Sequence, residues 1–301
     1  MGKPIALRLQ ANGHRLSCHD KDASRTSGLP EVGSVSDAAQ GSEALLLCLP
    51  DAPHVEAVVE ELLRAAQLPA VLIDLTSSDP DMTLRLGRQL GERGCALLDA
   101  PMSGGVPGAE TGELVLMVGG DQEVFEGWRQ LLEQVGREVV YAGPPGSGHR
   151  LKALNNGISA ACMVAACELL ALAGAEGLDL ERALTIVNAS SGRSEATRDK
   201  YPRAVLSGTW NVGFDFATIL KDMTRARGLA RQVGVSAPLT SVSTEIVRLA
   251  AGEAGLQADF SLLAKVYDGW AAASAARPSA SHPAMQGILT PDEGTRKQKE
   301  G

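Results

Sequence analysis

The chain has 301 residues, 44% apolar and 21% charged, with a formal net charge of −8 at pH 7. That length exceeds one ordinary core and suits two domains. No Lys/Arg cluster precedes the last few residues, so nucleic acid is not an expected partner. No run of about 18 uninterrupted apolar residues occurs, so no membrane span is expected. Met1 leads directly into Gly2-Lys3-Pro4 without a signal-peptide pattern, and the expected compartment is the cytoplasm.

In chain order, residues 4–12 read as a helix, with Pro4 near its start and Gly13 just past its end. Arg15 to His19 reads as a short strand ending at Asp20, followed by a polar stretch and a small helix near Asp37 to Gln40. Ala44 to Leu49 is short and continuously apolar, as expected of a strand covered on both faces. Helices at about 54–66, 81–93 and 121–135 then alternate with strands at 70–75, 95–99, 114–118 and 137–141. Such alternation implies βαβ units and a mostly parallel sheet, an α/β fold.

After Gly143-Pro144-Pro145-Gly146 the pattern changes. Residues 148–176 read as one long helix, apolar nearly all round and therefore expected to be buried between domains. Further helices are expected at 179–190, 216–233, 237–252 and 259–272, with no strand among them. The expected division is 1–145 for the sheet domain, 146–272 for an all-helical domain, and a disordered tail over 273–301, rich in Ser, Pro, Ala and charge.

Ligands of such sheets bind beyond the carboxyl ends of the strands. There stand Asp20, Leu49-Pro50, Thr76-Ser77 and Ser103-Gly104-Gly105, small or polar groups suited to a dinucleotide and a small substrate. Turn chemistry also explains each one separately. The Ser103-Gly104-Gly105 run offers a hydroxyl and unobstructed backbone N–H groups, either a carboxylate cradle or a plain glycine turn.

Lys152 and Asn156 lie four apart, on one face of the long helix. A buried amine loses hydration, which lowers its pKa from about 10.4 toward a range useful for general acid/base chemistry. The alternative is a lysine near a helix end that reaches solvent. The five cysteines (Cys18, Cys48, Cys95, Cys162, Cys167) show no CxxC spacing and read as small buried hydrophobes in a reducing compartment. The five histidines are scattered, so no metal site is expected.

From residue 1 to about 272 the chain resembles the β-hydroxyacid dehydrogenases. The motifs that carry the likeness are Asp99-Ala-Pro-Met-Ser-Gly-Gly105, Gly146-Ser-Gly148, Lys152-Ala-Leu-Asn-Asn156, Asn188-Ala-Ser-Ser-Gly-Arg-Ser194, and Phe214 with Lys221-Asp222. The resemblance implies a Rossmann-type domain followed by a helical one, assembled as a homodimer or homotetramer. It implies NAD(P)-dependent oxidation of a 3-hydroxyisobutyrate-, glycerate- or threonate-like acid, with Lys152 as general acid/base. Ser103, Gly104 and Gly105 would hold the substrate carboxylate and Asn156 would hydrogen-bond the substrate. Gly2, Asp20, Leu49, Pro50, Thr76, Ser77, Phe214, Lys221 and Asp222 are the implied cofactor residues.

Two departures stand out. Met1-Gly2 matches the end of the family's GxGxxG loop, so the family's first strand and two loop glycines are not in this sequence. An upstream start is the expected reason; a non-catalytic homologue is the other reading. The segment between Asp20 and Ser36 is also shorter than the family's crossover, so the adenosine side is expected to be reshaped. Asp20 at a strand end favours NAD, whereas Lys21 and Arg25 would suit the 2′-phosphate of NADP.

Overall fold

The computed structural model describes residues 1–275. Helix α1 (Gly2–Ala11) and the short α2 (Val35–Ala39) precede β1 (Ala44–Leu47), α3 (Ala52–Leu62), β2 (Val71–Asp74), α4 (Pro80–Gly91) and β3 (Ala96–Asp99). A two-residue β4 (Met102–Ser103), α5 (Gly105–Thr111), β5 (Val115–Gly119), α6 (Gln122–Val135) and β6 (Glu138–Gly143) complete this part. Three of these helices begin at an aspartate cap: Asp51, Asp79 and Asp121 accept the first free backbone N–H groups of α3, α4 and α6.

The sheet order is β1-β2-β3-β5-β4, with β6 on β5. β1, β2 and β3 run parallel, as do β5 and β6, while β5 is antiparallel to β3 and β4. Alternation along a strand sends neighbours to opposite faces. Val71 and Ile73 pack with Ile5, Leu9, Phe125 and Leu132, whereas Leu72 packs with Val55, Val59, Leu86 and Leu90. Helices therefore cover both faces, as a doubly wound fold requires.

One expectation in this part needs correction. Arg15–His19 is not a strand; it contributes one isolated bridge, Cys18 to Glu31, because no ladder partner lies alongside it among the described residues. Ala44–Leu47 is covered on both faces as expected, with Ala44 and Leu46 packed on one cluster and Leu45 and Leu47 on the other, and it stands at a sheet edge, since β2 is its sole described neighbour.

The remaining described residues are helical: α7 (Ser147–Ala175), α8 (Leu180–Ala189), a π-helix (Ala196–Leu206), α9 (Phe216–Gln232), α10 (Pro238–Ala254) and α11 (Leu263–Ala275). Among the described residues α7 alone is long and apolar enough to cross a membrane by length and composition. Its Ala160, Met163, Cys167 and Leu170 form a core with Phe216, Met223, Val247 and Phe260 from the helices that follow.

The expectation that α7 is buried all round does not hold. Leu151, Leu154, Ile158, Leu169 and Leu172 remain exposed, because α9, α10 and α11 cover one side of the helix only. The expected tail falls outside the described residues, apart from Ala273 to Ala275, which end α11.

Candidate active site

The site begins with how α7 is seated on the sheet. Asp99 ends β3 with no exposed surface, and its carboxylate meets the start of α7: Oδ1 accepts from the Gly146 amide at 2.7 Å and Oδ2 from the His149 amide at 3.0 Å. Between them, Gly148 approaches the sheet so closely that a Cβ there would lie 2.2 Å from the Met117 carbonyl oxygen and 2.5 Å from that of Asp99. Only glycine fits.

His149, 1% exposed, ties the same helix turn to two further elements. Its Nε2 lies 2.9 Å from the Thr76 carbonyl oxygen, an obligate acceptor, which assigns the proton to Nε2. Nδ1 then accepts from the Thr83 hydroxyl at 2.9 Å. Burial pushes this imidazole down to about 3, so it is neutral at pH 7. The carboxyl groups of Asp74 and Asp99 stand 3.7 and 3.9 Å from the ring, and burial raises them to about 7 and about 6.

Lys152 follows one turn after Gly148. Its amine is driven below its ordinary range, first by burial; the Asp222 carboxylate opposes this, the Lys200 ammonium adds to it and Glu195 opposes it. No hydrogen bond or ion pair among the described residues holds this amine. Asn156, on the same face, donates from Nδ2 to Asp222 Oδ2 at 2.6 Å, and Asp222 also faces Arg225 at 3.5 Å. Asp222 is 1% exposed, so it orients Asn156 from within the core.

At the carboxyl ends of β1 and β2, Leu49 N donates to Thr76 Oγ1 at 3.1 Å. Lys221 on α9 reaches across to the carbonyls of Pro50 and Ser77, at 3.4 and 3.5 Å. Five of the sequence-predicted residues thus meet at one sheet edge. Beside them Ser78 Oγ is buried and has no hydrogen-bond partner. An orphaned hydroxyl next to a loosely held lysine fits the polar parts of a bound dinucleotide. Gly2 opens α1 against the Cys48 side chain, where an added Cβ would stand 3.4 Å away, which places this helix N-terminus at the same sheet edge.

Other predicted residues lie elsewhere. Ser103 ends β4, and Gly104 and Gly105 follow with φ of 124° and 62°. Asp20 accepts from the Asp22 amide at 2.9 Å in the segment after the Cys18 bridge. Phe214 stacks on Phe260 and lies under Lys200, on the α7 side rather than at the sheet edge. Sequence reasoning did not single out His149 or Lys200. An isolated histidine in a helix carries no spacing signal, and Lys200 sits in the π-helix, which was not anticipated.

Residues 1–143 match the family model described as the NAD binding domain of 6-phosphogluconate dehydrogenase. Residues 146–267 match the model described as NAD-binding of NADP-dependent 3-hydroxyisobutyrate dehydrogenase. The chain is 33% identical over 282 residues to an NAD-dependent L-serine dehydrogenase of Pseudomonas aeruginosa, covering 89% of this chain and 95% of that protein. The chain belongs to the β-hydroxyacid dehydrogenase family. It is 32% identical over 287 residues to a 3-hydroxyisobutyrate dehydrogenase of the same organism, covering 89% and 96%. A 3-hydroxyisobutyrate dehydrogenase structure from Mycobacterium tuberculosis, described with L-serine, superposes with a TM-score of 0.81 at 26% identity, over 88% and 95% of the two chains. This β-hydroxyacid dehydrogenase is an NAD(P)-dependent oxidoreductase that acts on a CH–OH group.

Proposed function

We propose that Lys152 is the general acid and base in the interconversion of a small 3-hydroxy acid with its semialdehyde or keto acid. One observation carries the reading: a partly buried amine, lowered by that burial and held by no partner, opens the face that Asn156 shares. In oxidation the neutral amine takes the hydroxyl proton; in reduction the ammonium returns it. Bound NAD(P) supplies the hydride acceptor or donor.

Asn156 keeps one N–H of its amide for the substrate oxygen, the other being committed to Asp222. Ser103, Gly104 and Gly105 hold the substrate carboxylate. Gly2, Leu49, Pro50, Thr76, Ser77, Lys221 and, more remotely, Phe214 and Asp222 shape the cofactor side. L-serine and 3-hydroxyisobutyrate, named for the relatives, both carry a hydroxyl on the carbon β to a carboxylate, which supports a 3-hydroxyisobutyrate-, glycerate- or threonate-like substrate.

Asp20 favours NAD over NADP; Arg25, which would suit a 2′-phosphate, faces Asp22 at 3.3 Å. Residues 1–145 serve as the dinucleotide unit and 146–272 as the substrate and assembly unit. A second copy covers the exposed stripe of α7 in a homodimer or homotetramer. The test of the catalytic reading is Lys152→Met: turnover falls by orders of magnitude while NAD(P) binding survives, and near-normal turnover removes Lys152 from the chemistry.

A further inference from the structure

Lys152, Asn156 and Ser159 occupy one face of α7, and Ser159 stands about 10 Å along the axis from Lys152. Ser159 is not idle. Its hydroxyl accepts from Lys200 Nζ at 2.6 Å and donates to Glu195 Oε2 at 3.3 Å, and Lys200 also faces Glu195 Oε2 at 3.0 Å and the ring of Phe214 at 5.4 Å. Lys200 is only 7% exposed, whereas the side chain of Glu195 is 65% exposed.

That asymmetry is unusual for a structural ion pair. A buried ammonium is normally matched by a buried carboxylate, because the lost hydration must be replaced on both sides. Here the cation is fixed by Ser159, the Phe214 ring and its own burial, while the counter-ion is mostly in water and held by Lys200 and a long bond from Ser159, so that its pairing is exchangeable. An ammonium has three donors, and only two are taken among the described residues.

Glu195 also borders a depression of 480 Å³ lined by Arg193, Ser194, Arg198 and Asp199. Asp199 is paired with Arg203, and among the described residues no ion pair holds Arg193 or Arg198. The unmatched charge around the depression is therefore positive.

We propose that Lys200, held by Ser159 one turn of α7 beyond Asn156, is an anion subsite for the substrate tail, so that the preferred substrate is a 3-hydroxy acid whose C2 substituent ends in a second carboxylate. This rests on the reading that places the reacting hydroxyl at Lys152. The second carboxylate displaces Glu195 and takes up the Lys200 ammonium, with Ser159 and Phe214 keeping the lysine in place.

The test has a binding arm and a turnover arm, both on the full chain. Calorimetry with NAD or NADP present compares 2-methylsuccinate with 2-methylbutanoate, unreactive mimics with and without the second carboxylate. The diacid binds at least tenfold tighter to the native chain; Lys200→Met abolishes that preference, Lys200→Arg keeps part of it, and Glu195→Gln increases it. In turnover, kcat/KM for 2-(hydroxymethyl)succinate and its one-carbon-longer homologue exceeds that for 2-(hydroxymethyl)butanoate at least tenfold, and Lys200→Met collapses the ratio.

Equal binding of diacid and monoacid by the native chain, or a preference that Lys200→Met leaves intact, overturns the subsite. If Lys200→Met does not fold, the opposite shifts in Lys200→Arg and Glu195→Gln decide the matter. Diacid preference in binding with no turnover of any hydroxy acid upholds the subsite and overturns the catalytic reading instead.

Discussion

Gly148→Ala probes the link between the sheet and the proposed catalytic helix. The added methyl would sit 2.2 Å from the Met117 carbonyl oxygen and 2.5 Å from that of Asp99, against an ordinary contact of at least 3.4 Å. Both neighbours are backbone of paired strands, β5 and the end of β3, so neither can swing aside. Relief requires the first turn of α7 to lift by about 1 Å, and overpacking of this kind costs about 1–3 kcal/mol. Lys152 lies one turn further on the same face and moves with it. A misplacement of about 1 Å at a reacting group costs about a hundredfold in rate. The expected outcome is a folded chain with a modestly lowered Tm and kcat reduced about a hundredfold, measured by thermal unfolding and steady-state turnover on the same preparation. A Gly148→Ala chain with native kcat would refute the rigid seating of Lys152.

Four further outcomes follow from the geometry. Asp99→Asn keeps one acceptor oxygen for the Gly146 and His149 amides and turns an NH2 group on the other, and should cost about 1–3 kcal/mol in urea unfolding. Stability should fall with rising pH between about 4 and 6. In the fold Asp74 and Asp99 hold protons up to about 7 and 6 against 3.8 when unfolded, while His149 holds none until about 3 against 6.5. The fold thus binds one net extra proton from these three groups in that window, about 1.4 kcal/mol per pH unit, and His149→Gln should steepen the slope to about twice that. Lys221→Met should weaken NAD(P) binding about tenfold by calorimetry, with the fold intact, because its contacts to Pro50 and Ser77 are long and contribute little to stability. Ile158→Asp, on the exposed stripe of α7, should reduce the solution mass to one chain; an unchanged oligomer would move the interface elsewhere.

Much of this molecule was legible because its signals are local. Apolar runs bounded by capping aspartates gave β2, β3 and the helices between them, and the motif around Lys152 fell on one face of α7 as the four-residue spacing required. What could not be read depended on partners. Arg15 to His19 has strand-like residues but no ladder to join, and the place of Ala44 to Leu47 at the sheet edge is set by pairing, not by composition. The π-helix over Ala196–Leu206 contains Pro202 and lacks a clean apolar period, so the lysine it carries to Ser159 was invisible. His149 and Asp99 sit far apart in sequence and meet only because Gly148 lets α7 descend onto the sheet.

The ε-amine of Lys152 offers the most direct measurement, followed by NMR through a pH titration of the intact chain with Lys152→Arg used to assign its signal. A midpoint clearly below the ordinary 10.5 is expected, since burial and Lys200 outweigh the pull of Asp222 and Glu195. A midpoint at or above 10.5 would leave the amine fully protonated at neutral pH and contradict its role as the base.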